Sequence, residues 1–435
     1  NAQKISFSGK EGGAVEITIT AGNPPRRVTA PLSKSEGHRA MILAALAEGE
    51  TLLPVLPASD DMTATKECLR QMGAGITETA QGLQICPIRV PAANTVRLNC
   101  GESGSTLRFL LPVAAALGRH AVFTGAGRLP ERPVAELLEV MQKNGITAEV
   151  RREPWEIEID GRLTAGIFTL PGNVSSQYVS GLLMTLPLLK GSSEIRVEGA
   201  LQSAGYAAMT EEMLRRFGAV CEKTPQGWHI AGGQRYHSPM RLAIGGDWSQ
   251  AAFWLAAGSL FAPVTVTGLL QESAQPDRAI LPLLRQMGAQ IEVSPNGVTA
   301  APGKLRGITA EMSGCPDLLP PLAVVMAFAE GESRLTGAGR LRLKESDRLT
   351  GTAGLLRALG GTVTELPDGL VIAGGGLRGG AADPCRDHRL AMAAGLAALG
   401  CREPVTVKNA ECVRKSYPEW WEILTGNEKI LSSKN

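Results

Sequence analysis

The chain has 435 residues, enough for two to four domains with a large buried core. Hydrophobic residues at 44% and charged residues at 20% exclude a disordered or fibrous chain. Forty-four Lys and Arg against 42 Asp and Glu leave a net charge of +2, so no bulk attraction to nucleic acid or an anionic membrane is encoded, and an anionic ligand requires cations focused in one place.

Asn1 to Lys10 contains no apolar run of the kind a signal peptide needs, and a cytoplasmic chain is expected. From residue 35 onward an apolar helix recurs, beginning at a small or acidic polar residue: Ser35, Ser105, Ser176, Asp247, Asp317 and Asp387. Successive starts lie 70, 71, 71, 70 and 70 residues apart. The runs beginning at the first, second, third, fifth and sixth of these starts extend through Gly49, Gly118, Gly191, Gly331 and Gly400. A second, amphipathic helix recurs between them and ends at Gly73, Gly145, Gly218, Gly288 and Gly360, each followed by a short strand. Further β-runs stand at Glu194–Val197, Val264–Val266 and Val405–Val407. The first helix type is apolar nearly all round and is expected to be buried on every side, whereas the second keeps a charged face and is expected outside. A left-handed cap fits each closing Gly.

Two long uncharged stretches, Leu163–Leu189 and Trp248–Gln271, are interrupted by Pro171-Gly172 and Pro263, short of the ~18 unbroken apolar residues a spanning helix demands. No membrane segment is expected. The eight cysteines form no C-x-x-C pair and the five histidines no H-x-x-x-H, so reduced thiols and no local metal site are expected.

Six units of about 70 residues suggest repetition by stacking, as in a solenoid. The ends carry no polar capping repeat, however, and the unit is long for a solenoid. Three units per globular domain fit better, giving domains at 32–245 and at 1–31 with 246–435. The N-terminal segment would then return to pair with the last three units, with a hinge near Gly245-Gly246.

Helix N-termini favour phosphate and carboxylate groups, and Ser and Asp there also serve as plain caps. The starts nevertheless carry informative company. Pro31-Leu32-Ser33-Lys34-Ser35-Glu36-Gly37-His38-Arg39 places Lys34, Ser35 and Arg39 on one helical turn, with Glu36 as the only neutralising carboxylate. Gly101-Glu102-Ser103-Gly104-Ser105 opens a helix without the Gly-Lys-Ser/Thr of a Walker A loop. Leu343-Lys344-Glu345-Ser346-Asp347-Arg348 reads as a helix with Lys344 and Arg348 at i, i+4, either a salt-bridged surface or a ligand face.

Pro31–Ser35, Gly101–Arg108 and Leu343–Leu349, together with Arg128-Leu129-Pro130-Glu131-Arg132-Pro133, Ser175-Ser176-Gln177, Asp387-His388-Arg389 and Lys415-Ser416-Tyr417-Pro418, resemble in order and register the signatures of the 5-enolpyruvylshikimate-3-phosphate synthases. The resemblance implies an α/β (α+β) fold of two globular domains, each of three βαβαββ units with buried parallel helices, like an inverse α/β barrel. It implies addition–elimination that moves the enolpyruvyl group of phosphoenolpyruvate to the 5-hydroxyl of shikimate 3-phosphate, on the route to chorismate and the aromatic amino acids, with glyphosate as inhibitor. No metal or organic cofactor, nucleic acid or membrane is implied, and a monomer is expected.

Residue by residue, the resemblance assigns Lys34, Ser35, Arg39, Ser175, Ser176, Gln177, Ser203, Tyr206, Asp317 and Lys344 to shikimate 3-phosphate. It assigns Lys34, Gly104, Arg128, Gln177, Glu345, Arg348, His388, Arg389 and Lys415 to phosphoenolpyruvate. Asp317 matches the acceptor of the hydroxyl proton, and Glu345 with Lys34 are the candidates for delivering a proton to the methylene carbon. Glu102, Phe109, Arg340 and Ala204-Gly205 depart from common family patterns.

The sister enolpyruvyl transferase acting on UDP-N-acetylglucosamine carries Lys-Asn where this chain has Lys34-Ser35, and a reactive Cys loop, whereas Cys100 precedes the loop here. A non-catalytic anion-binding relative would have lost Asp317, Glu345 or Lys415.

Overall fold

Alternating β-branched and apolar helical runs build one small sheet per repeat in the computed structural model, which describes residues 5–8, 15–89 and 95–426. Of the Asn1–Lys10 segment only Ile5–Ser8 lies inside the described residues. The chain divides into two compact units, Ser33–Ile244 and Asn1–Leu32 with Gly245–Asn435.

In the Ser33–Ile244 unit the first repeat contains α1 (Lys34–Leu46), strand Thr51–Leu53, α2 (Asp60–Gln71) and the hairpin Gly75–Thr79 with Gly82–Cys86. It lacks an opening strand, and parallel bridges from Glu48 to His237 and from Leu52 to Arg241 bring the end of the unit to that edge. The second repeat is complete. Val96–Asn99 leads through α3 (Gly104–Ala116) to the parallel strand Ala121–Thr124, then through α4 (Ala135–Gln142) to the hairpin Ile146–Arg152 with Trp155–Gly161. The third repeats the order with α5 (Ser176–Leu183) and α6 (Ala204–Arg216).

In the other unit the fourth repeat carries α7 (Trp248–Leu260) and α8 (Ile280–Met287), the fifth α9 (Leu319–Phe328) and α10 (Arg348–Ala358), and the sixth α11 (His388–Ala398) and α12 (Trp420–Thr425). The N-terminal strands complete two of these sheets. Arg27–Thr29 runs parallel to Val264–Thr267, and Glu16–Ile19 pairs antiparallel with Val405–Val407.

Burial follows the two helix types. Every residue of α7 from Trp248 to Ser259 and every residue of α11 is buried, whereas α8 buries Ile280, Leu281, Leu284 and Met287 on one face. Each fully buried Leu or Ile stabilises the fold by about 1.5–3 kcal/mol. Trp254 and Trp420 lie 4.4 Å apart between ring centroids and hold α12 against α7.

Several helix ends differ from the sequence expectation. The caps of α1 and α3 are Ser33 and Ser103, two residues before Ser35 and Ser105, and that of α5 is Ser175. The third helix stops at Leu183 instead of continuing towards Gly191, with Pro187 inside the 3-10 turn Leu186–Leu188 that follows. Gly73 and Gly288 adopt φ of 104° and 110° as a left-handed cap requires. Gly400 does not, and a Cβ there would lie 2.3 Å from Phe261 Cε1, so close packing explains that glycine.

Candidate active site

Within the Ser33–Ile244 unit, the starts of α3 and α5 are linked through side chains. α5 approaches the α3 backbone at Gly181, where a Cβ would stand 2.5 Å from the Arg108 carbonyl. That approach lets Arg108 Nη1 donate to Gln177 Oε1 at 2.7 Å, while Gln177 Nε2 donates to Ser105 Oγ at 2.9 Å. The amide of Gln177 is therefore held at both ends, with Ser175 capping its backbone N–H at 3.3 Å. Ser175 and Ser176 are both buried. Above this group sits Gly104, where a Cβ would lie 2.8 Å from Arg108 Nη1 and from Arg132 Nη2. The loop thus leaves two guanidinium groups against bare backbone.

Lys34 Nζ donates to Asp61 Oδ2 at 2.7 Å. The expectation that Glu36 alone neutralises this turn is corrected: the carboxylate comes from the first turn of α2. Arg39 points inward. Its Nε donates to Thr210 Oγ1 at 2.7 Å, Nη1 to the Ser35 carbonyl at 2.7 Å, and Nη2 to Ser180 Oγ at 3.0 Å and the Tyr206 carbonyl at 3.1 Å. Four of its five N–H groups are engaged within the protein, so it ties α1, α5 and α6 together and leaves at most one donor for a ligand. Burial draws its guanidinium down to about 10. Phe109 lies under it, 5.0 Å from Cζ to ring centroid, which gives this departure from the family pattern a packing role. Ser203 is buried before α6 with a left-handed φ of 57°, three residues from Tyr206. Arg128 is half-buried and pairs with Glu131 at 2.9 Å.

The other unit holds a denser cluster. Asp247 and Asp387 cap their helices, accepting from Gln250 N at 3.0 Å and Arg389 N at 2.9 Å. Asp317, the third aspartate in the repeat register, does not. It lies in the 3-10 turn Pro316–Leu318 ahead of α9 and accepts from Arg348 Nη1 at 2.7 Å and Arg389 Nη2 at 2.9 Å, with Lys344 Nζ 3.6 Å away. A side chain that breaks the repeat symmetry to gather three cations is a functional signal. Burial raises its pKa, but Arg389, Lys344 and Arg348 together outweigh burial and hold the carboxyl far below the usual carboxylate range.

Arg348 is almost completely buried. Besides Asp317 it donates to Glu345 Oε2 at 2.7 Å and grips Asp387 through Nε at 2.9 Å and Nη2 at 3.2 Å. Burial opposes its charge, and Asp387, Glu345 and Asp317 overcome burial to raise its pKa. Lys344 is not on one helix face with Arg348, as the i, i+4 spacing suggests. Asp347 caps α10 by accepting from Thr350 N at 3.0 Å, so the helix begins at Arg348 and Lys344 sits in the preceding bend. Both still reach Asp317, and burial lowers the Lys344 pKa. His388 is buried at the start of α11, and Lys415 is buried at the end of the 3-10 helix Ala410–Lys415 that packs on α11. Among residues the motif reading left unassigned, Asp61, Arg108 and Arg132 belong to the first cluster and Asp387 to the second. Arg108 was signalled as the only charge within the apolar run of α3.

Two anion clamps rich in Arg and Lys, one containing a carboxylate that can accept a proton, suit substrates bearing phosphate and carboxylate. The profile of the family described as EPSP synthase (3-phosphoshikimate 1-carboxyvinyltransferase) matches residues 24–424. The chain belongs to the EPSP synthase family. It is 42% identical over 400 residues to a 3-phosphoshikimate 1-carboxyvinyltransferase of Clostridium acetobutylicum, covering 91% of this chain and 93% of that one. The enzyme of the same name from Clostridium kluyveri is 38% identical, with 93% and 96% covered. The solved EPSP synthase of Acinetobacter baumannii superposes with a TM-score of 0.77 at 27% identity, covering 94% of this chain and 97% of that one. An enolpyruvyl transferase from Streptomyces tendae, 21% identical with a TM-score of 0.76, shares the fold. As a member of the EPSP synthase family the chain has the two-unit α/β architecture of its neighbours, and none of its described helices is long and apolar enough to cross a membrane.

Proposed function

We propose that this EPSP synthase family member transfers the enolpyruvyl group of phosphoenolpyruvate to the 5-hydroxyl of shikimate 3-phosphate and releases phosphate. The observation that carries the reading at the level of residues is the Asp317–Arg348–Arg389 cluster, set beside Glu345. The 5-hydroxyl oxygen attacks C2 of phosphoenolpyruvate and gives its proton to Asp317, while Glu345, with Lys34, supplies a proton to C3. Loss of phosphate from C2 and of a proton from C3 then regenerates the double bond. Arg348, Arg389 and Lys415 are assigned to the phosphoenolpyruvate charges, as are Lys34, Gly104, Arg128 and Gln177, and His388 steers Arg389. Fixed cations facing developing charge act before the reaction begins and so lower its barrier.

Shikimate 3-phosphate falls to Lys34, Ser35, Ser175, Ser176, Gln177, Ser203, Tyr206, Asp317 and Lys344, with Arg39 bracing that group from behind. Ser33–Ile244 thus serves mainly shikimate 3-phosphate, and the other unit mainly phosphoenolpyruvate and the proton transfers. The enzyme works as a cytoplasmic monomer in this reading. The test is phosphate release from phosphoenolpyruvate with shikimate 3-phosphate, with UDP-N-acetylglucosamine, and with no acceptor. Release with shikimate 3-phosphate alone supports the assignment, and release with UDP-N-acetylglucosamine or with no acceptor overturns it.

A further inference from the structure

Within electrostatic reach of the Arg389–Asp317 pair lies a carboxyl group that the reaction above does not use. Asp277 sits in the 3-10 helix Pro276–Ala279 that leads into α8, and its side chain is buried. Oδ2 accepts a hydrogen bond from Ser249 Oγ on α7, whereas Oδ1 has no partner. Arg389, on α11, is in a matching position: Nη2 donates to Asp317 and the buried Nη1 has no partner. The charged and titratable groups facing Asp277 are Asp247 at the cap of α7, Cys315 and Asp317 ahead of α9, and Arg389. Arg278, the neighbour in sequence, is exposed.

A buried acceptor and a buried donor left over within electrostatic reach of one another form an incomplete pair, and each is costly while it lacks a partner. We propose that Asp277 is a positioning residue for Arg389: ionised, it competes with the anionic substrate for the guanidinium, and protonated, it releases Arg389 to that substrate. Burial and the neighbouring Asp317 push the Asp277 carboxyl up to about 7, against the opposing pull of Arg389, so the competition changes within the neutral range. The ligand concerned is the carboxylate or phosphate of phosphoenolpyruvate, and this step rests on the assignment of Arg389 made above.

The test compares wild type with Asp277→Asn and Ser249→Ala from pH 5.5 to 8.5, reading kcat and KM for phosphoenolpyruvate separately. Comparing variants at each pH removes the titration of phosphoenolpyruvate itself. In wild type, KM is expected to rise several-fold more between pH 6 and 8 than in Asp277→Asn, which mimics the protonated form throughout. Ser249→Ala removes a donor that favours the ionised carboxylate, so its rise in KM is expected at higher pH.

A second readout does not depend on turnover. The carbonyl stretch of a protonated carboxylic acid, followed by infrared difference spectroscopy, should disappear between pH 6 and 8 in wild type and be missing in Asp277→Asn. The assignment of Arg389 fails separately if Arg389→Ala binds phosphoenolpyruvate as wild type does. Parallel KM profiles in all three proteins, or no carboxylic band that Asp277→Asn removes, overturn the proposal for Asp277.

Discussion

Arg348 and Asp387 meet side-on in the core of their unit, Nε to Oδ2 at 2.9 Å and Nη2 to Oδ1 at 3.2 Å, and neither side chain has appreciable exposure. The aspartate caps α11 through the Arg389 N–H and accepts Ser346 Oγ at 3.1 Å, so a single carboxylate fixes the starts of both α10 and α11. Arg348 thereby arrives at Asp317 already oriented.

Removing that carboxylate leaves a guanidinium buried with part of its compensation gone. Breaking one side of a buried pair costs about 3–5 kcal/mol. Asp387→Ala should therefore lower the unfolding free energy measured in urea by an amount in that range, while Asp387→Asn, which keeps the cap and the shape, should lose clearly less. Equal losses in the two variants would mean that the charge of Asp387 contributes little.

Asp317 is held ionised by Arg389, Lys344 and Arg348. Its folded pKa is depressed, so its contribution to stability is fully present above the unfolded carboxylate range and is lost progressively as pH falls from that range through the far lower folded value. Acid inactivation between pH 5 and 7 should therefore not report Asp317. Asp317→Asn should cut kcat by about 10²–10⁴-fold, the usual contribution of a general base, and should leave the acidic limb of the rate profile in place. Steady-state phosphate release across pH would check both parts, and a shift of the acidic limb in the variant would contradict the second.

The sixfold repeat was legible because each unit buries one helix completely, and an apolar run every 70 or 71 residues is visible without any structure. The N-terminal segment's return to the last three units followed from the same counting. Cap positions were not legible to the residue, because Ser33 and Ser35, like Ser103 and Ser105, offer the same hydroxyl two residues apart and only backbone geometry chooses between them. Asp61 escaped notice because its pairing with Lys34 spans 27 residues and joins two helices, a relationship that periodicity does not encode. Arg39 was visible as a cation at a helix start. Whether it faces ligand or core depended on Ser180, Tyr206 and Thr210, which come from two later helices.

Gly104 should tolerate a methyl group in the fold and not in the site. The atoms a Cβ would crowd are guanidinium tips, Arg108 Nη1 and Arg132 Nη2 at 2.8 Å, which can move by bond rotation. Movement of Arg108 disturbs its bond to Gln177 Oε1. Gly104→Ala is expected to keep its melting temperature within a few degrees of wild type and to raise KM for phosphoenolpyruvate several-fold. An unchanged KM would show that the arginine tips absorb the methyl group without consequence for binding.

His38 offers a test of stability alone. Its Nδ1 lies 2.7 Å from Thr65 Oγ1, Thr65 lies 2.6 Å from Thr106, and Thr106 donates to the cap Ser103 at 2.7 Å, a chain that joins α1, α2 and the start of α3. Nε2 is buried without a partner, and burial drives the imidazole pKa down to about 3. The unfolded chain binds a proton near pH 6.5 that the folded chain refuses until about pH 3, so stability falls as pH drops through that window. One such proton changes stability by at most about 1.4 kcal/mol per pH unit. Asp277 works in the opposite sense, since its raised pKa penalises folding as pH rises from about 4 towards 7, and the two partly cancel in wild type. Urea unfolding of His38→Gln should therefore show a weaker loss of stability between pH 6 and 4 than wild type. The Asp277→Asn variant should show a steeper one. Parallel curves for His38→Gln and wild type would mean that His38 accepts its proton inside the folded protein.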